Sequence, residues 1–453
     1  MSVSRYESYK DSGVEWLGEV PSHWNVLPCR AIVDERNTRN DGGTIQAYLS
    51  LMANVGIIPY EEKGDIGNKK PDDLEKCKLV FRGDLVINSM NYGIGSYGLS
   101  DLEGVCSPVY IVLSPKLGVV EERFAFRILQ NRAFQTLAQS FGNGILAHRA
   151  AINWEILKVI KVAVPPKPEQ LQILNFLDRE TSKIDELINE QTRLIELLKE
   201  KRQAVISHAV TKGFNPDAPM KDSGVEWLGE VPEGWKLSKI KFIKASEPNA
   251  FVDGPFGSNL KSEHFTDHGD VYVIESNFAT QGELDLSALK TISANHFATI
   301  NRSEARCGDI IIAKIGAQFG KSSILPQIDK PAVISGNTLK LTVNNLDCVT
   351  KFAHWFLVAI KQAGALDLIV NGSAQPALSL GEMNNLPFLI PPLIEQVAIV
   401  HFLEKILSSI DSLISEAENA VLLLHERRSA LISAAVTGKI DIRSLVDSKE
   451  EAA

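Results

Sequence analysis

The chain has 453 residues, 44% hydrophobic and 23% charged, which is enough apolar material for roughly three ordinary domains and excludes global disorder. Its net charge of −9, from 47 basic and 56 acidic residues, weighs at first sight against nucleic acid as a partner. No apolar run reaches the roughly 18 residues of a membrane span, and the polar first ten residues have no signal-type core, so a cytoplasmic protein is expected. Cys29, Cys77, Cys106, Cys307 and Cys348 are odd in number and scattered, which argues against a disulfide framework and a zinc cluster.

Residues 10–24 read KDSGVEWLGEVPSHW and return as KDSGVEWLGEVPEGW at 221–235, with 13 of 15 positions identical. A first variable region follows the first copy. Strands are expected at 79–81, 84–88, 109–113 and 158–164, and a helix at 121–140. Pro165-Pro166 then leads to Glu169-Gln170, a pattern repeated by Pro391-Pro392 and Glu395-Gln396. From there 166–212 aligns on 392–438 without a gap, with 22 of 47 positions identical. The second variable region carries expected strands at 271–274, 310–314 and 338–343 and a helix at 349–365. The order is opening motif, variable region, PPxxEQ, long segment, and then all of it again.

Each long segment reads as one helix. No Gly or Pro interrupts 169–212; Pro168 suits a first helical turn, and Gly213 suits a C-terminal cap. Leu177, Thr181, Ile184, Ile188, Gln191, Ile195, Leu198, Arg202, Val205 and Ala209 step by four and three alternately. Leu403, Leu407, Ile410, Ile414, Ala417, Val421, Leu424, Arg428, Leu431 and Ala435 do the same. These are the expected helix-pairing seams. Leu187, Leu194 and Leu197 widen the stripe and offer surface to further helices. Each helix would be about 63 Å long at 1.5 Å per residue. The intervening region, with a radius of gyration of roughly 16 Å, could not bridge that length end to end, so antiparallel pairing is expected.

Four local patterns suggest catalysis and are set aside. Residues 93–98 match GxGxxG, but no helix pattern follows to face a pyrophosphate. Residues 316–322 resemble a phosphate loop but are one residue short between the glycines. The two lie in equivalent places after Gly83-Asp84 and Gly308-Asp309, which points to a shared glycine-rich hairpin. His264 and His268 lack the glutamate of HExxH. The two proline pairs lack the flanks an amino-methyltransferase would use. Trp16, Trp24, Trp227 and Trp235 are read as anchors packed on the domain cores.

This doubled order, with Asp253-Gly254-Pro255-Phe256-Gly257-Ser258-Asn259-Leu260 and the Asn371-Gly372-Ser373 turn, resembles the specificity subunit of type I restriction-modification systems. The resemblance covers about residues 10–440. It implies an α+β fold: two globular mixed α/β target-recognition domains separated by two long antiparallel helices in a coiled coil, with an internal pseudo-twofold repeat. The domains would be 1–165 and 213–391, the spacer helices 166–212 and 392–440, and 441–453 a flexible C-terminal tail. Each domain would read one half of a bipartite double-stranded DNA site. The helices would set the spacing and dock two methyltransferase subunits, to which the restriction translocase subunits are added. The chain itself would be non-catalytic and hold no metal; S-adenosylmethionine, ATP and Mg would belong to the partners.

Candidate DNA contacts are polar groups on the hairpins and turns. They are Asn91, Tyr92 and Ser96, then Asn143, His148 and Arg149, in the first domain. In the second they are Asn259, Lys261, Lys314, Gln318, Lys321, Ser373 and Gln375. Two rival readings remain: a DNA-free coiled-coil scaffold that binds proteins, and an enzyme with a nucleotide site in the glycine loops. The charge divides as −1 over 1–165, zero over 166–212, −4 over 213–391 and −4 over 392–453. No segment is a basic anchor, so a reader of this kind would depend on its partners to hold the duplex.

Overall fold

A computed structural model describes residues 5–66, 69–142, 151–370 and 376–443. The chain divides into two units, one of residues up to 192 with those from 419 onward, the other of residues 193–418.

Unit one is built on a four-stranded antiparallel sheet. Its order is Val33–Glu35, Tyr110–Pro115, Leu85–Asn88, Tyr97–Leu99. Unit two repeats it as Phe251–Asp253, Thr338–Leu341, Ile310–Ala313, Ser322–Ile324. A short pair, Asn25–Pro28 with Lys161–Val164, delivers the chain to the first long helix, and Lys236–Lys239 with Pro387–Ile390 does the same for the second. Unit two also holds a five-stranded sheet absent from the sequence reading except for 271–274. Its central pair, Val271–Ile274 and Ala332–Ile334, is parallel.

Two expected elements are corrected. The helix expected over 121–140 is two, Glu122–Gln130 and Arg132–Ser140. Asn131 between them is extended, and its carbonyl side chain accepts from the amides of Ala133 and Phe134, capping the second helix. The strand expected from 158 begins at Lys161, because Trp154–Leu157 forms a helical turn that Asn153 caps.

The long helices are Lys167–Lys212 and Leu393–Val436. In unit one, Leu177, Thr181 and Ile184 are buried and Ile188 is half-buried on the first helix, while on the second Ala435 is buried and Val421, Leu424 and Leu431 are half-buried. In unit two, Leu198 and Ala209 are buried and Ile195 and Val205 are half-buried, with Leu403, Leu407, Ile410 and Ala417 buried and Ile414 half-buried. The flanking positions are mostly exposed, which is the signature of a narrow seam. Antiparallel pairing is fixed by ion pairs. Arg428 meets Asp185 at 3.0 Å in unit one. Arg202 meets Asp411 at 3.0 Å in unit two, with Lys199 near Glu418. Leu187, Leu194 and Leu197 are exposed.

The repeated motifs are the joints between each unit's core and its helices. Gln170 is fully buried; its amide donates to the carbonyls of Val119 and Pro165, and its oxygen accepts from the Glu121 amide. Gln396 repeats all three bonds, donating to Asp347 and Pro391 and accepting from Val349. The neighbouring glutamates take the tryptophans of the opening motifs. Trp24 Nε1 donates to Glu169 at 3.1 Å, and Trp235 Nε1 to Glu395 at 3.0 Å. Both rings are buried, while Trp16 and Trp227 are half-buried against the cores. Each tryptophan also covers the end of the opposite helix. A Cβ on Gly213 would lie 3.1 Å from the Trp235 ring, and one on Gly438 3.3 Å from Trp24 and 2.3 Å from Pro21. With φ of +74° and +72°, both positions require glycine.

Unit one adds a lock that has no counterpart among the described residues of unit two. Glu169 also accepts from Tyr6 Oη at 2.7 Å and meets His23 Nε2 at 2.8 Å. Arg443 lies over the Tyr6 ring and pairs with Asp441. The segment expected to be a flexible tail from 441 thus begins inside the fold, with Ile442 fully buried.

Replacing Gln396 with Ala strands one donor and two acceptors at a joint. The expected loss is about 2 to 4 kcal/mol of unit-two stability, seen as a lower urea midpoint at unchanged slope. A Gln170→Ala change should act on unit one alone.

Candidate nucleic-acid interface

The glycine-rich segments are hairpins in both units, not phosphate loops. In unit one, Leu85–Asn88 turns back as Tyr97–Leu99. In unit two, Ile310–Ala313 turns back as Ser322–Ile324. A phosphate loop needs a helix N-terminus after the glycines, and a strand occupies that place here.

In unit one the placement corrects two candidates. Tyr92 is 1% exposed, and its hydroxyl donates to the Leu129 carbonyl at 2.7 Å. Burial pushes that phenol well above its usual range. Ser96 is buried, with its amide donating to the Asn91 carbonyl. Both hold the hairpin in shape and present nothing to a ligand. Asn91 is half-buried in the same turn. The exposed positions are Met90 and Ile94, and Arg132 donates to the Gly93 carbonyl from the side. Beside the hairpin an open polar cleft of about 360 Å³ is lined by Asn54, Gln130, Arg132, His425 and Arg428.

Unit two presents a more complete surface. Gln318 and Lys321 are exposed on the hairpin, their backbones bonded to each other across its turn. Lys314, at its base, reaches Asp253 at 3.2 Å, and Arg302 meets the other oxygen of that carboxylate at 2.5 Å. Burial acts to raise the Asp253 carboxyl, but the Lys314 ammonium and Arg302 guanidinium outweigh it and hold it below the usual range. Asn259 and Lys261 are exposed on the loop that leaves Asp253. His296 bonds the Asn259 carbonyl at 2.9 Å, and the Lys261 amide donates to His264 Nδ1 at 3.0 Å. The two imidazoles stack with centroids 4.0 Å apart. Thus Lys314, Asn259 and Lys261 belong to one braced frame, while Gln318 and Lys321 stand further out on the hairpin. Asn143, His148, Arg149, Ser373 and Gln375 lie outside the described residues.

Sequence reasoning missed Arg302 and His296. Both come from the helix and turn between 294 and 303, far in sequence from the loop they brace, so no local spacing announces them. His264 is committed to the loop, and the described residues contain no group of three potential metal ligands. Burial pushes the Cys29, Cys106 and Cys348 thiols up to about 12, far from nucleophilic at neutral pH. Desolvation pushes half-buried His354 down to about 4, and it faces Ser322 Oγ at 3.2 Å, with no carboxylate bonded to it among the described residues.

The model of the type I restriction modification DNA specificity domain matches the chain twice, over 39–197 and 256–423. A putative type I restriction enzyme MjaX specificity subunit of Methanocaldococcus jannaschii is 23% identical over 94% of this chain and 96% of its own length. The EcoBI specificity subunit of Escherichia coli is 24% identical over 61% of this chain and 58% of its own. Among solved structures, a chain from a study of complex assembly and conformational transition of the type I R-M system superposes with a TM-score of 0.72 at 15% identity, covering 92% of this chain and 98% of that one. The HsdS subunit from Thermoanaerobacter tengcongensis gives 0.53 at 16% identity, covering 93% and 98%. No helix among the described residues is long and apolar enough to cross a membrane.

Proposed function

Because the chain belongs to the type I restriction modification DNA specificity family, and is a DNA sequence-specificity subunit, we propose that its two units read the two halves of a bipartite duplex site. One observation carries this reading. The same four-stranded sheet occurs twice, and its hairpin carries different residues each time: Asn91, Met90 and Ile94 in one unit, Lys314, Gln318 and Lys321 in the other. A duplicated frame with divergent tips suits a reader of two different half-sites.

The two long helices run on from one unit into the other and so carry the half-site spacing. Exposed leucines on these helices, Leu187, Leu422 and Leu423 in unit one and Leu194, Leu197 and Leu413 in unit two, would be the apolar contacts for two methyltransferase subunits. The restriction translocase joins through that assembly. S-adenosylmethionine, ATP and Mg are used by those partners, in the cytoplasm, and this chain contributes no catalytic group. The strand that follows each glycine segment, where a phosphate loop would need a helix N-terminus, supports that last point.

Methylation sequencing in a host carrying the chain with its partners tests the reading. A two-part motif with a fixed unspecified spacer is expected; a single contiguous motif would overturn it. Failure to retain specific DNA in the assembled complex would favour the protein scaffold instead. Binding of ATP or S-adenosylmethionine by the isolated chain would revive the enzyme reading.

Two outcomes follow for variants. Gln318→Ala with Lys321→Ala should relax one half-site and leave the other intact; equal loss at both contradicts modular reading. Inserting one heptad into both helices adds about 10.5 Å, or about three base pairs. The mapped spacer should lengthen while both half-sites stay unchanged.

A further inference from the structure

Phe256 is 70% exposed at the tip of the loop that leaves Asp253. An aromatic ring left in water forgoes the burial that places most phenylalanines in cores. Here the backbone that carries the ring is also held on both sides. The preceding backbone is wedged against the 335–336 segment: a Cβ on Gly254 would lie 1.8 Å from the Ser335 carbonyl oxygen, and one on Gly336 2.7 Å from that of Pro255. The Gly254 amide donates to the Thr338 carbonyl at 3.0 Å, which ties the loop to the sheet edge. Asp253 is fixed by Arg302 and Lys314. On the far side the Asn259 amide donates to the Phe256 carbonyl at 2.7 Å, closing a turn, and His296 takes the Asn259 carbonyl. Ser258, Asn259 and Lys261, which follow on the same loop, are exposed polar residues.

A floppy loop could fold an exposed ring back onto its own unit. This one is pinned at both ends, so the ring is presented rather than merely left over. Its polar neighbours are suited to phosphates and base edges, which gives the surface the composition of a nucleic-acid contact with an apolar point in it. Side chains of this kind open stacked base steps by insertion and kink the duplex. By strand register Leu113 pairs with Glu35 where its counterpart Leu341 pairs with Phe251, so the position in unit one that matches Phe256 is Asn40, between Arg39 and Asp41, and it carries no aromatic.

We propose that Phe256 is a wedge residue, which enters the duplex at the half-site read by unit two and unstacks one base step. It is a positioning residue for recognition, and it rests on the assignment of this unit as a DNA reader. No counterpart is expected at the other half-site, so only one half of the site is distorted in this way.

The test uses the full chain assembled with its methyltransferase partners and a duplex carrying the methylation-mapped site. 2-Aminopurine is placed at each position of both half-sites in turn. Fluorescence should rise several-fold at one step in the unit-two half-site, fall to the free-duplex level with Phe256→Ala, and return with Phe256→Tyr. Any signal from a base extruded for methylation should persist in Phe256→Ala, which separates it from the wedge. At a concentration that saturates the duplex, checked by mobility shift, the Phe256→Ala complex should show a smaller bend angle. If the wild-type complex binds its site but no step responds, or the response survives in Phe256→Ala, the wedge is wrong and the DNA reading stands. If the wild-type complex does not select the site at all, both fall together.

Discussion

Both units depend on one joint, the fully buried glutamine at the start of each long helix. Gln170 and Gln396 each satisfy three backbone groups that helix entry and the neighbouring turn would otherwise leave without partners. The adjacent glutamate then binds the indole of the opening motif, and that indole covers the terminus of the opposite helix. A short run of residues therefore fixes three things together: where a helix starts, which sheet it leaves and which helix end it receives. Because the joint is made largely of backbone bonds and two side chains, it places little demand on the rest of the domain. The contents of the domain are free to change while the frame is kept.

That division of labour explains what could be read from the sequence. The seam and the joints are local or strictly periodic, so 22 identities in 47 positions and a four-three spacing exposed them directly. The interior of the units is not local. Asn131 splits a helix because its side chain caps the next one, an outcome that periodicity over 121–140 does not register. The five-stranded sheet of unit two is assembled from strands as short as Phe265–Thr266 and Glu304–Ala305, below the length at which alternation is visible. Tyr92 and Ser96 looked like polar contacts because a hairpin sequence says nothing of which side faces the core. Their burial follows from the helix that packs over the turn and accepts the Tyr92 hydroxyl. Arg302 and His296 escaped notice for the opposite reason: each acts across a long stretch of sequence.

The charge balance changes meaning once the polar groups are placed. A net −9 argues against a long-range field that gathers phosphate. It says little about a few fixed cations. Asp253 illustrates the point. It contributes a negative charge to the count, yet in the fold it holds Lys314 and Arg302 in one orientation beside the exposed Asn259 and Lys261. A carboxylate used in this way reduces attraction at a distance and increases order at contact. Such a surface suits readout by geometry, with affinity left to whatever encloses the duplex.

The seam contains the same compromise. Asp185 with Arg428, and Asp411 with Arg202, are one interaction used twice, since a shift of 226 residues carries either pair onto the other. Each pair is partly exposed, and such pairs contribute about 0 to 1 kcal/mol, less than apolar residues of similar size would at those positions. Their use is in register. Sliding the helices of unit one past each other by one heptad would leave Asp185 beside Val421 or Ala435, with no cation to meet it. An all-apolar seam would tolerate that slip, whereas the charged pair penalises it. The pairs thus trade a small increment of stability for a fixed register within each unit.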